Sequence, residues 1–219
     1  MAEKEIRGIK NAQFVTSVGY GAAYLELEEA QIAFVGKSNV GKSSLINALC
    51  NRNKLAKTSS SPGKTRLINY FACNRDTFYL VDLPGYGYAK APKTEQQKWG
   101  ELIEGYLRSG MVTHLFLLLD SRHAPGEGDR MMFHWIQYYN LPYTLIATKL
   151  DKLPKSRRAA ALKALQKELG AIGQPLGVSA AEKSGLEAIW QQIDNIVDDF
   201  DQRKHPERFE KTSEELVIE

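Results

Sequence analysis

A three-layer, doubly wound α/β fold, with a mostly parallel sheet of about six strands between helices on both faces, is what this 219-residue sequence predicts. Three observations carry that prediction. Strand-sized apolar segments alternate with helical ones from Gln31 to Phe200. Two of the strand segments, residues 112–120 (VTHLFLLLD) and 143–149 (YTLIATK), are near-continuous apolar runs, the pattern of parallel strands covered on both faces. Residues 31–35 (QIAFV) feed a glycine-rich turn that opens directly into a helix, the unit from which nucleotide-binding α/β sheets are built.

Taken in order, residues 1–30 read as an extension packing on the core, mixed in character and ending in Glu26, Glu28 and Glu29. The domain proper spans 31–200. Its first helix, 44–50, places Leu45, Ile46 and Leu49 on one face. Residues 53–66 (NKLAKTSSSPGKTR) are small, polar and punctuated by glycine and proline, the composition of a mobile loop. Residues 67–73 and 77–82 read as a hairpin across Asn74-Arg75-Asp76, and a further short strand falls at 175–178. Helices fall near 94–109, 127–139, 155–169 and 183–200, with Gly170 where a helix C-cap glycine belongs. Residues 201–219 form a charged tail expected to fray.

Bulk composition excludes more than it assigns. Hydrophobic residues at 43% and charged ones at 25% suit one soluble globular domain. No apolar run approaches the length of a membrane span. Lys4, Arg7 and Lys10 are not followed by an apolar core, so the N-terminus does not read as a secretory signal, and a cytoplasmic location is expected. The spacing of Cys50 and Cys73 matches no metal site, and His114, His123, His134 and His205 form no ligand spacing. His114 reads as a satisfied near-core residue, and Trp99, Trp135 and Trp190 as core contacts.

The chemistry is concentrated in five strings. Gly36-Lys37-Ser38-Asn39-Val40-Gly41-Lys42-Ser43, continued by Ser44, fits the phosphate-binding pattern G-x-x-x-x-G-K-[ST]. A strand, a glycine-rich turn and a helix N-terminus aim backbone N–H groups at one point, where the helix dipole favours a β-phosphate. Lys42 then reaches the β- and γ-phosphates, and the Ser43 hydroxyl ligates Mg²⁺. Asp82-Leu83-Pro84-Gly85 ends the next buried strand, 40 residues after Lys42. There an aspartate holds Mg²⁺ through water, and the Gly85 N–H meets a γ-phosphate oxygen. Thr148-Lys149-Leu150-Asp151 ends a third strand. Its Asp151 carboxylate accepts from guanine N1–H and the 2-amino group, and the Lys149 stem lies along the base; adenine leaves the carboxylate unpaired. Thr148 stands where this motif usually has asparagine. Val178-Ser179-Ala180 fits the short loop whose backbone N–H meets guanine O6. Within the 53–66 loop, Gly63-Lys64-Thr65 supplies the candidate that closes over Mg²⁺ and the γ-phosphate, Thr65, with Thr58 as its competitor.

Together GKSNVGKSS, SPGKT, DLPGYGYA, TKLD and SAA closely resemble the EngB (YihA) family of small bacterial GTPases, within the translation-associated group, over roughly residues 25–200. The resemblance implies a P-loop GTPase domain that hydrolyses GTP to GDP and phosphate. It further implies a role in assembly of the large ribosomal subunit, with a link to normal cell division and septation. Tyr86 follows Gly85, where Ras-like proteins carry the glutamine that orients the attacking water, so slow intrinsic hydrolysis is expected. In related GTPases an asparagine three residues before the phosphate-loop lysine helps coordinate an activating K⁺, which makes Asn39 a candidate; its alternative role is to stabilise the loop turn.

Arg52, Lys54, Lys57, Lys64, Arg66, Lys90, Lys93 and Lys98 flank the two segments expected to respond to the γ-phosphate, which suits a nucleotide-gated surface for ribosomal RNA. On helix 155–169 the basic residues read instead as a solvated face opposite Leu162, Leu165 and Leu169. Tyr86 and Tyr88 either stack on a base or pack inside their own segment. Three functions compete: a monomeric GTP-hydrolysing switch in ribosome assembly, a GTP-gated ribosome-binding module with incidental or partner-triggered hydrolysis, and a metabolic kinase or ATPase. The last is disfavoured by the TKLD string and by the lack of an acceptor-substrate or lid domain.

Overall fold

The computed structural model describes residues 6–56, 67–87 and 92–206. Its centre is β2 (Ala30–Gly36), flanked in parallel by β4 (Phe78–Asp82) and β5 (His114–Asp120). On one side β5 is followed in parallel by β6 (Tyr143–Thr148) and the short β7 (Leu176–Gly177). On the other, β3 (Ile68–Cys73) runs antiparallel to β4, and β1 (Ala12–Val18) antiparallel to β3. The strand order is therefore β1-β3-β4-β2-β5-β6-β7.

Alternate residues of the central strands bury on opposite faces. Phe34 and Phe116 meet α1 (Lys42–Leu49) and α5 (Leu186–Lys204) through Leu45, Ile46, Ile189 and Ile193. Val35 and Leu117 meet α2 (Lys93–Arg108), α3 (Glu127–Tyr138) and α4 (Lys155–Leu169) through Ile103, Met132, Ile136 and Leu165. Each such side chain contributes about 2 kcal/mol when fully buried, which is why these strands have no polar face. Gly170 caps α4 with φ +65°, the left-handed conformation expected of it.

The sheet has seven strands where the sequence predicts about six, because residues 12–18 join it as an edge. Phe14 and Val15 stay exposed and a register shift falls between Phe14 and Thr16, so the strand lacks the alternation that marks one. The expected turn at Asn74-Arg75-Asp76 holds three consecutive left-handed residues. Asn74 accepts from the Lys10 amide (2.8 Å) and donates to the Gly8 carbonyl (2.8 Å), which ties the hairpin to the start of β1.

His114 opens β5 with its Nε2 2.9 Å from Thr144 Oγ1. Burial pushes its pKa down from 6.5 to about 4. Between those values the unfolded chain binds the proton and the folded chain does not, so stability falls as the pH drops from 6.5 to 4. The full loss is about 3 kcal/mol. His114→Gln should remove this component, read from denaturant midpoints at neutral and mildly acidic pH.

Candidate nucleotide-binding site

The loop between β2 and α1 turns through two left-handed residues, Asn39 (φ +64°) and Gly41 (φ +107°), before the Leu45 amide bonds the Gly41 carbonyl and starts the helix. The first turn of a helix leaves its amides without intrahelical partners, the arrangement that receives an anion. At Gly36 a Cβ would lie 2.9 Å from the Leu118 carbonyl oxygen and from Val40, so only glycine lets the loop leave β2 here.

The segment after β4 is zipped to this loop. Leu83 N donates to the Phe34 carbonyl (3.0 Å), Tyr86 N to Gly36 (3.3 Å), and Ser38 N to Tyr86 (2.8 Å). Gly85 lies between them, and a Cβ there would come 3.1–3.2 Å from Gly36 O, Ser38 N and Ser38 Oγ. Lys42 Nζ pairs directly with Asp82 Oδ1, both side chains about a tenth exposed (10% and 9%). The other Asp82 oxygen faces Asn69 Nδ2 at 3.4 Å, and Asn69 in turn accepts from Ser17 Oγ at 2.7 Å. A serine hydroxyl at the helix start and a carboxylate one strand away are hard oxygen donors of the kind Mg²⁺ prefers. The oxygens of Ser43 and Asp82 are of that kind, and among the described residues no group of three or more His, Cys, Asp or Glu could hold a metal ion.

The predicted base-side loop is fastened to the phosphate loop at two points. Thr148 is buried, its hydroxyl 2.7 Å from the Val40 carbonyl of the phosphate loop and 3.1 Å from that of Leu119 on β5, so its single hydrogen lies between the two. Lys149, at φ +58°, donates from Nζ to the Asn39 carbonyl at 2.7 Å and to Asp120 Oδ2 at 2.9 Å. Asp151 accepts from Ser179 Oγ at 2.7 Å and pairs with Lys152 at 3.2 Å. The Ser179 hydrogen bond is the main reason its carboxyl lies below the usual aspartate range. The Leu150 amide bonds Val178 (3.0 Å), and Ser179 and Ser184 exchange two backbone bonds at 3.0 Å. Gly185 makes that turn possible: its φ is +75°, and a Cβ would sit 2.2 Å from the Gly177 carbonyl oxygen. Ala180 and Ser44 line one cleft beside α1.

Gly63, Lys64, Thr65 and its competitor Thr58 lie outside the described residues, as do Lys57, Arg66, Tyr88 and Lys90. The Asn39 side chain is exposed. Arg52, Lys54, Lys93 and Lys98 are exposed too, with Lys98 over the Tyr20 ring.

Tyr86 packs within its own segment. Its hydroxyl donates to Asp129 Oδ1 at 2.7 Å, its ring lies on Gly128 and edge-on to Trp99, and burial followed by the Asp129 charge pushes its pKa far up. It is turned into the space between α2 and α3, so no glutamine-like function follows from it. Tyr86→Phe should lower stability by about 2 kcal/mol, the cost of depriving buried Asp129 of a donor. GTP turnover per folded molecule should stay unchanged; a combined thermal melt and phosphate-release assay checks both. Asp120, Arg122, Asn69 and Asp129 are site-adjacent residues that the sequence reading missed. An aspartate at the tip of β5, next to the Thr148 strand, was the available signal.

A family model described as 50S ribosome-binding GTPase matches residues 31–149. The chain is 47% identical over 195 residues to the probable GTP-binding protein EngB of Clostridium kluyveri, covering 87% of this chain and 98% of that one. A crystal structure of a probable GTP-binding protein engB superposes with TM-score 0.65 at 22% identity, covering 78% of this chain and all of that one. The structure of Era in complex with MgGDPNP and nucleotides 1506–1542 of 16S ribosomal RNA gives TM-score 0.61 at 20% identity, over 77% and 56% of the two chains.

Proposed function

Since the chain belongs to the EngB family of P-loop GTPases, we propose that it acts as a nucleotide switch in assembly of the large ribosomal subunit, hydrolysing GTP to GDP and phosphate. The observation that carries the nucleotide part of this reading is the double fastening of the base-side loop to the phosphate loop, Thr148 to Val40 and Lys149 to Asn39; the ribosomal part rests on the family. Phosphate and base contacts thereby form one site. Lys42 and the amides of 39–43 hold the phosphates, and the Gly85 N–H senses the γ-phosphate. Ser43, Thr65 and Asp82 hold Mg²⁺, which when bound neutralises charge on the β- and γ-oxygens. Lys149 and Asp151 read guanine, with Ser179 and Ala180 closing the base pocket.

The partner is the large subunit or its precursor, met through ribosomal RNA by the exposed Arg52, Lys54, Lys93 and Lys98. The matching family model, described as 50S ribosome-binding GTPase, supports that class of partner. The chain works as a cytoplasmic monomer and is linked to normal cell division and septation. Asn39, exposed on the phosphate loop, helps to hold an activating K⁺. Burial of Tyr86 favours a second reading as well, a GTP-gated binding module in which hydrolysis is incidental to docking.

GTP turnover in Mg²⁺ with KCl or NaCl, with and without purified large subunits, tests the proposal. Stimulation by subunits supports the switch, and GTP-dependent binding without stimulation supports the module. Equal rates in the two salts remove K⁺ from the mechanism. Displacement of bound guanine nucleotide by ATP as readily as by GTP overturns the guanine reading.

A further inference from the structure

Asp120 ends β5 directly opposite Thr148 in the β5–β6 register. Its carboxylate accepts four hydrogen bonds. Three come from Arg122: the backbone amide (3.1 Å) and Nε (2.9 Å) to Oδ1, and Nη2 (2.8 Å) to Oδ2. The fourth comes from Lys149 Nζ to Oδ2, at 2.9 Å. Partial burial pushes the carboxyl up, but the bonds from Arg122 and Lys149 outweigh it and hold the group well below the usual aspartate range. Isolated exposed ion pairs contribute little. This one differs because the same Lys149 ammonium reaches on to the Asn39 carbonyl of the phosphate loop.

The ammonium is thus held between β5 and the phosphate loop, and the stem behind it is fixed by protein groups alone. A lysine that must lie along a base ordinarily surrenders its rotamer freedom on binding; here that freedom is already lost. Arg122 grips the carboxylate in a two-pronged fork, so its plane does not depend on Lys149.

We infer that Asp120, braced by Arg122, is a positioning residue for guanine nucleotides that acts through Lys149. The inference rests on the guanine-nucleotide reading above and deepens it: the wall under the base is set by a carboxylate that belongs to none of the nucleotide motifs. Since Lys149 does not read the 2-amino group, the effect is the same for guanine and hypoxanthine nucleotides, unlike that of Asp151.

The test is the dissociation rate of fluorescent GDP and IDP from the full chain carrying Asp120→Asn, Lys149→Met or both. Lys149→Met keeps the stem and removes the ammonium. Each single change should raise both rates about tenfold, and the double change should go no further than the larger single. A double variant whose rate is the product of the two single effects overturns the inference, because Asp120 then acts by another route. So does a Lys149→Met protein with the wild-type rate, a result that stands even where Asp120→Asn fails to fold. If wild-type protein holds neither nucleotide, the guanine reading itself falls and takes this inference with it.

Discussion

Replacing Asp82 with asparagine should tighten GDP binding in EDTA about tenfold and lower Mg²⁺-dependent GTP turnover about a hundredfold or more. The two effects have opposite signs because Asp82 has two partners at different stages. It holds Lys42 in a direct ion pair, with both side chains about nine-tenths covered. A phosphate must draw Lys42 off that carboxylate, and the carboxylate also repels the phosphate. At an intermediate effective dielectric such charges interact by up to about 4 kcal/mol, most of it offset by solvation, and a net effect of about 1.4 kcal/mol gives the tenfold figure. On the reading proposed above, the same carboxylate would help to hold Mg²⁺ through water, with Ser43 and Thr65, so turnover should lose what binding gains. Titration of fluorescent GDP in EDTA and phosphate release in Mg²⁺ separate the effects. Weaker GDP binding in EDTA would show that the ion pair does not compete with phosphate. Lys42→Ala should lose nucleotide in both conditions, and it leaves Asp82 without its cation, a cost of about 3 kcal/mol to the empty fold.

What the sequence reveals and conceals follows from how far each feature's meaning extends along the chain. The 36–44 string is legible because strand, turn and helix are adjacent, and spacing alone aims the amides. β5 is legible because both of its faces are covered and no polar residue interrupts the run. β1 is hidden because its pairing partner begins 50 residues later and its apolar Phe14 and Val15 face outward. The direction of Tyr86 is fixed by Gly128 and Asp129 on α3, which no local pattern around Tyr86 encodes. Asp120 carries meaning only beside Lys149, 29 residues on. Thr148 is a different case: the residue was visible, but only the fold shows its hydroxyl turned to Val40 and Leu119.

Asp151→Asn should weaken GDP binding about a hundredfold and turn the preference toward xanthine nucleotides. The Ser179 hydroxyl donates to Asp151 Oδ1 while its oxygen accepts from the Glu182 amide at 3.1 Å, so protein groups alone aim the carboxylate. The same hydrogen bond holds the carboxyl below the usual aspartate range, so it stays ionised into mildly acidic conditions with both oxygens as acceptors. Guanine offers two donors in one plane, N1–H and the 2-amino group, and each oxygen takes one. An asparagine keeps one acceptor and sets an NH₂ against the other donor; two charge-assisted bonds become one neutral bond and one repulsion, about 2.7 kcal/mol or a hundredfold. Xanthine carries a carbonyl where guanine has the amino group, so the new NH₂ finds an acceptor there. Competition between fluorescent GDP and unlabelled GDP, XDP and ADP measures the exchange. Because the folded carboxyl titrates below the ordinary 3.8, wild-type affinity should hold through mildly acidic pH and fall only as the pH drops toward that lower value. A variant that keeps its preference for GDP over XDP would remove Asp151 from base recognition. Its ion pair with Lys152 and its bond to Ser179 would then serve only to pin the 3₁₀ turn Leu150–Lys152 against the Ser179 loop.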